Sequence, residues 1–353
     1  MLMKSSFLSV ALSGLIWLSA NPMCSAQTTA ASKKGESPSQ HPQLALKTKV
    51  EVKSEMAQFF VDPLKCDEDG NLYLMTKMDA ITGIRKLNAK GERLAVLVAS
   101  PAADLKLKVA GYFSVAPNGS IYQLAYPQDT IDRAMLIYNK GGTLKSSVKL
   151  QPGFFWTPTQ VAAFSSGDVL IAGMRDDAHV PFTGLFDSTG ALRKQLVLED
   201  DEELQAMVED GRVESGHRYG NRAVELGQME NADNGNIYLM RRLSSPILYA
   251  ISPGGEVVRR FTINAGSPDF LPESMHIAGG KIAILFREPQ TSEEFVRIVD
   301  LSGRELATYD EPMDNGRGTL GSAFACYSDN PERFTFLYTS NNGNLGLKVA
   351  EPR

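Results

Sequence analysis

Apolar residues in this chain gather in short runs separated at regular intervals by glycine turns. Some runs are nearly continuous, as in Leu72-Tyr73-Leu74-Met75, Ile237-Tyr238-Leu239-Met240 and Ile282-Ala283-Ile284-Leu285. A strand reads that way when both of its faces are buried. Others alternate, as in Leu44-Ala45-Leu46-Lys47-Thr48-Lys49-Val50-Glu51-Val52. The turn ahead of a continuous run has the form Asp/Asn-Gly-Asn/Ser-Leu/Ile-Tyr at 69–73, 118–122 and 234–238, with degenerate copies at Ser166-Gly167-Asp168-Val169 and Gly279-Gly280-Lys281-Ile282. A second glycine follows each first one after 20 to 23 residues, at Gly91, Gly142, Gly190, Gly255 and Gly303. Because glycine supplies the positive φ of tight hairpins, each marks a reversal between antiparallel strands.

Successive first glycines lie 49, 48, 68 and 45 residues apart. A period of this size with several short strands per unit predicts the blades of a β-propeller. In the first unit the strands fall at 64–67, 72–77, 84–87 and 94–98. A sixth unit starts near Gly321 with Ala323-Phe324-Ala325-Cys326, turns at Asp329-Asn330-Pro331, and continues through 334–339 and 345–350. It is one strand short, and the alternating stretch 44–52 has no blade of its own. The expectation is therefore an all-β, six-bladed propeller over residues 44–353, closed by its N-terminal strand. The step of 68 residues marks an insertion at 199–225 between blades three and four. There Asp200 or Asp201 can cap a short helix that carries Leu204, Met207 and Val208 on one face and ends at Gly211. Such a segment reads as a lid at the channel mouth or as a decorating loop.

The first residues set the compartment. Lys4 precedes an apolar run at 7–18, and Cys24-Ser25-Ala26 offers small residues for cleavage before Gln27. Residues 1–26 read as a signal peptide and 27–43 as a flexible tether, so the protein is expected to be exported to the periplasm or the cell exterior. Removing 1–26 takes one lysine and no acid from 36 basic and 41 acidic residues, leaving a net charge of −6. Nucleic acid is a poor partner for such a chain, and a monomer binding a small molecule or a protein is expected. Cys66 and Cys326 remain, on the first strands of neighbouring blades. An oxidising compartment permits a bond, but neighbouring inner strands need not come within bonding reach. Two buried, unpaired thiols are the expectation.

The turn Asp-Gly-Asn-Ile/Leu-Tyr precedes an apolar third strand, such as Met135-Leu136-Ile137-Tyr138-Asn139 or Val296-Arg297-Ile298-Val299-Asp300, and then a glycine. This pattern resembles the NHL-type repeat of six-bladed propellers. Pro63, Pro158 and Pro272 stand where such repeats carry a proline ahead of the innermost strand. Blade five departs from the pattern with Gly279-Gly280, and blade six with Pro331-Glu332-Arg333. The resemblance implies a fold rather than an activity, since that group includes lyases and lactonases as well as plain binding modules. Its metal-dependent members hold the ion on the propeller axis with residues of the innermost strands. Here those strands offer Glu230, Glu273 and His276 as catalytic or metal candidates, without a metal-binding spacing. A divalent cation is called for only under that alternative; otherwise no cofactor is expected.

Positive charge recurs at the ends of the second strands. Lys77, Arg242 and Arg287 stand seven residues after their first glycines, and Arg175 stands eight after its own. Trp156, the one tryptophan after residue 26, should share their face and that of the insertion. Trp156, Arg175, Arg242 and Arg287 are thus the candidate ligand-binding set, suited to an anionic ligand; arginines separately paired with Asp176 or Glu288 are the competing reading. The motif-like stretch Gly316-Arg317-Gly318-Thr319-Leu320-Gly321 leads into a strand rather than a helix, so it does not signal a dinucleotide site. The favoured function is an exported binding or interaction module using the channel-mouth face. The alternative is a propeller lyase or lactone hydrolase.

Overall fold

The computed structural model describes residues 41–353 except 57–59, 77–82, 99–106, 128–131, 177–179, 210–227, 242–245, 289, 292, 315–316 and 319–322. The first strand, β1 (Leu44–Met56), precedes blade one: β2 (Phe60–Cys66), β3 (Leu72–Thr76), β4 (Gly83–Leu87) and β5 (Arg93–Val98). Blade two is β6 (Leu107–Val115), β7 (Ile121–Pro127), β8 (Arg133–Tyr138) and β9 (Leu144–Leu150); blade three is β10 (Trp156–Ala163), β11 (Val169–Arg175), β12 (Val180–Phe186) and β13 (Leu192–Leu196). After helix α1 (Asp201–Glu209) comes blade four: β14 (Gln228–Asn231), β15 (Ile237–Arg241), β16 (Ile247–Ile251) and β17 (Val257–Thr262). Blade five is β18 (Leu271–Ala278), β19 (Lys281–Arg287), β20 (Glu294–Asp300) and β21 (Glu305–Asp310). A small ladder, β22 (Met313–Asp314) with β23 (Arg317–Gly318), leads to β24 (Ala323–Asp329), β25 (Glu332–Thr339) and β26 (Asn344–Pro352).

Five blades are four-stranded antiparallel sheets in simple sequence order, and the sixth sheet has the order β1, β26, β25, β24. The innermost strands β2, β6, β10, β14, β18 and β24 touch one another in cyclic order, so the chain is a six-bladed β-propeller. Burial follows the apolar texture. In β15 and β16 every residue is buried, whereas the outermost strand β17 is almost wholly exposed. The outer strands β9, β13 and β17 carry exposed lysine and arginine, side chains that disfavour pairing at a sheet edge.

The turns explain the glycines. Ten of the described turns share one pattern: the amide of residue i donates to the carbonyl of i+4, and the amide of a glycine at i+3 donates back to the carbonyl of i. That is a type I turn followed by a left-handed residue, which splays the hairpin by one bulge. An Asp or Asn at position i reinforces it, as where Asp67 Oδ1 accepts from the amides of Asp69 and Asn71. Blade five uses the shorter alternative, with Gly279 and Gly280 both at positive φ. Pro63, Pro158 and Pro272 sit within or beside register shifts of the inner strands rather than ahead of them. A bulge is where a strand can lack one ladder donor.

Cys66 and Cys326 are joined by a disulfide, with Cα atoms 5.5 Å apart. This corrects the expectation of separate thiols. Around the axis β2 packs directly on β24, which brings the two residues within reach.

Candidate functional site

On the axis, the innermost strands of blades one and four bring opposite charges together. Lys65 of blade one reaches across to blade four, where its Nζ lies 2.6 Å from Glu230 Oε1 and donates to the Met229 carbonyl at 2.7 Å. The lysine side chain is 3 % exposed and the glutamate 16 %. Burial pushes the Glu230 carboxyl upward, and the Lys65 ammonium opposes that shift. His276, also buried, holds its Nε2 3.2 Å from the Phe324 carbonyl. A carbonyl only accepts, so Nε2 carries the proton. Nδ1 lies 3.9 Å from Glu230 Oε1. Burial drives the imidazole down to about 3, so it is neutral and the approach to Glu230 is not an ion pair. Among the described residues no group of three or more His, Cys, Asp or Glu side chains is arranged to hold a metal ion. Glu273 instead lies close enough to Glu294 for its charge to act there.

The histidine yields a pH prediction. A group whose folded value is depressed contributes stability that is complete above its unfolded value and is lost as pH falls toward the folded one. For His276 that window runs from about 6.5 down to about 3, with a slope of at most ~1.4 kcal/mol per pH unit. Chemical unfolding of the protein and of His276→Gln between pH 7 and 4 should show a shallower loss in the variant; parallel curves would contradict the assignment.

The other candidates lie at the ends of the second strands. Arg175 pairs in register with Trp156 at the start of blade three, and its guanidinium carbon lies 4.5 Å from the centre of the Phe154 ring. Trp156 is 3 % exposed, stacked on Phe186 and edge-on to Phe182. Its role begins as core packing, with one wall turned to the surface cleft described below. Arg287 pairs with Glu294 through both Nε and Nη2. Lys77 and Arg242 fall outside the described residues.

Its neighbour Arg241 is the buried one. Arg241 is 0 % exposed, with Nη2 3.3 Å from Thr183 Oγ1 and 3.2 Å from Asp201 Oδ1, and Nε 3.6 Å from Asp200 Oδ2. Asp200 also accepts from the Tyr249 hydroxyl at 2.6 Å, and its carbonyl accepts the Leu204 amide of α1. Burial raises the Asp201 carboxyl, against the pull of Arg241. Leu204 is fully buried among residues of blades three and four. Residues 200–204 are thus held against blades three and four by charge and packing together.

Between blades two and three, the strand ends and the connection 151–155 form an open cleft of about 650 Å³. Arg133, Lys149 and Arg175 supply its cations, and Phe154, Phe155 and Trp156 its rings. The Arg133 guanidinium carbon lies 4.9 Å from the centre of the Tyr126 ring, and Lys149 pairs with Asp132 at 2.6 Å. The connection is tied at both ends: the Gln151 amide donates to the Gly190 carbonyl, and the Asp176 amide to the Phe155 carbonyl. Gly190 has to be glycine, because a Cβ there would come within 2.1 Å of the Lys149 carbonyl and its φ is +85°. The cleft brings together Trp156 and Arg175 from the candidate set and leaves Arg287 apart. Sequence reasoning missed Arg133 and Lys149. The available signal was Pro152-Gly153-Phe154-Phe155-Trp156, an aromatic cluster in a connection where a solvated loop would be polar.

No family model matches the chain, and no curated protein matches it in sequence. Solved structures similar to it include a protein of unknown function from Bacteroides caccae (12 % identity, 70 % of this chain and 80 % of that one, TM-score 0.42). An uncharacterised protein of Listeria monocytogenes EGD-e is similar at 9 % identity (80 % and 75 % covered, TM-score 0.41). The Pan2 WD40 domain of Neurospora crassa is similar at 10 % identity (88 % and 96 % covered, TM-score 0.43). Likeness at this level says nothing about ligand or reaction. Among the described residues no helix is long and apolar enough to cross a membrane.

Proposed function

We propose that this chain is an exported NHL-like propeller that acts as a binding module, with its contact surface on the face where second strands end and blades connect. The observation that carries the reading is the cleft between blades two and three, where Arg133, Lys149 and Arg175 meet Phe154 and Phe155 on a tied connection. A rigid, concave surface with a few convergent polar groups and apolar walls is what a small-ligand site requires. The Cys66–Cys326 disulfide supports the exported reading, since such bonds persist in oxidising compartments. In this account β1 latches the ring and α1 anchors the insertion beside the same face. The lyase or lactonase alternative would work on the axis, where Glu230 already bears the Lys65 ammonium at 2.6 Å.

The test is a thermal-shift screen of small-molecule and metal-ion pools against the protein, Lys149→Gln/Arg175→Gln and Glu230→Gln. Stabilising pools should lose their effect in the double variant and keep it in Glu230→Gln. The reverse pattern would move the site to the axis.

A further inference from the structure

We infer that the propeller axis is a cation site filled from within the chain: the Lys65 ammonium stands where an ammonium or metal ion from solution would otherwise bind. Lysine is almost never fully buried unless it is paired, and Lys65 is held at 3 % exposure. Its Nζ takes the two kinds of oxygen that a hard cation uses, the Glu230 carboxylate at 2.6 Å and the Met229 carbonyl at 2.7 Å. Both come from consecutive residues of β14, on the blade opposite Lys65.

An ion bound to these two oxygens at about 2.0–2.6 Å would overlap the Lys65 nitrogen. Charge excludes it as well as space. Lys65 and Glu230 already balance, and His276 is neutral, held so by burial with the Lys65 charge acting in the same direction. A divalent ion added beside them would leave its charge uncompensated in a buried place. The histidine shows what the site recognises. With the His276 proton committed to the Phe324 carbonyl, Nδ1 is an acceptor 3.9 Å from Glu230 Oε1. Two acceptors cannot bond to each other, so this place suits a cationic donor, and Lys65 is that donor. The divalent cation of the lyase or lactonase alternative therefore does not fit this donor set.

Melting temperatures test this in two arms. The unaltered protein is expected to hold its melting temperature within about 1 °C when about 1 mM calcium, magnesium or manganese chloride is added. Lys65→Ala removes the atoms of a propylammonium ion, so about 50 mM propylammonium chloride should raise the melting temperature of that variant by about 2 °C or more. The same salt should leave the unaltered protein unchanged, and 1-propanol, the uncharged counterpart, should not rescue the variant. Replacing Glu230 as well, in Lys65→Ala/Glu230→Gln, should abolish the rescue. A folded Lys65→Ala that propylammonium does not stabilise, or that 1-propanol stabilises equally, would overturn the assignment. So would a metal-induced rise in the unaltered protein that Glu230→Gln abolishes. This metal arm needs no Lys65 variant, so it decides the matter even where Lys65→Ala does not fold.

Discussion

A chain that starts at Ala57, and so lacks β1, is expected to lose its cooperative thermal transition and to self-associate. The single strand touches three blades. It pairs with β26 from Leu44 opposite Pro352 to Met56 opposite Asn344, supplying the outer strand of blade six. At its start, Pro42 accepts the Asp310 amide of blade five at 3.0 Å. Near its end, buried Glu55 pairs with Arg93 at 3.1 Å and Arg85 at 3.7 Å, both in blade one. Leu44 and Val52 are each at most 2 % exposed. At about 1.5–3 kcal/mol per buried aliphatic side chain, those two alone account for much of the roughly 5–15 kcal/mol that holds a typical domain folded. Removing the strand also bares the edge of β26. A truncated chain that stays monomeric with an unchanged melting temperature would show that β1 only decorates the ring.

The second large effect is expected at the axis. Lys65→Met should destabilise the protein by about 3–5 kcal/mol, because it leaves the Glu230 carboxylate buried without its cation. Lys65→Met combined with Glu230→Leu should recover most of that loss, since an apolar pair removes both desolvation penalties. Urea unfolding of the two single variants and the double variant closes the cycle. A Lys65→Met variant within about 1 kcal/mol of the unaltered protein would mean that water already solvates Glu230 on the axis.

What could be read in advance was what local backbone geometry dictates. Positive φ is a requirement of one residue, so Gly70, Gly91, Gly119 and Gly142 announce their turns in sequence, and the continuous apolar strands follow from burial on both faces. What could not be read was assembled across the ring. Lys65 and Glu230 are 165 residues apart in sequence and opposite in space, and no spacing rule connects them. The disulfide spans 260 residues and depends on how closely two inner strands pack at the axis. Arg241 could not be read in advance either: an arginine at the end of a strand reads as surface charge, and its burial against Thr183, Asp200 and Asp201 is set by how blades three and four pack. Arg133 and Lys149 come from different strands of blade two, and only the fold sets them beside Arg175.

The central claim is that the protein binds its ligand in the cleft between blades two and three and not on the propeller axis. A crystal structure of the protein with a compound that stabilises it in the thermal-shift screen tests it most directly. The expected result is ligand density in that cleft beside Phe154 and Phe155, with the Lys65–Glu230 pair intact. Density on the axis beside Glu230 and His276, with that pair opened, would contradict it.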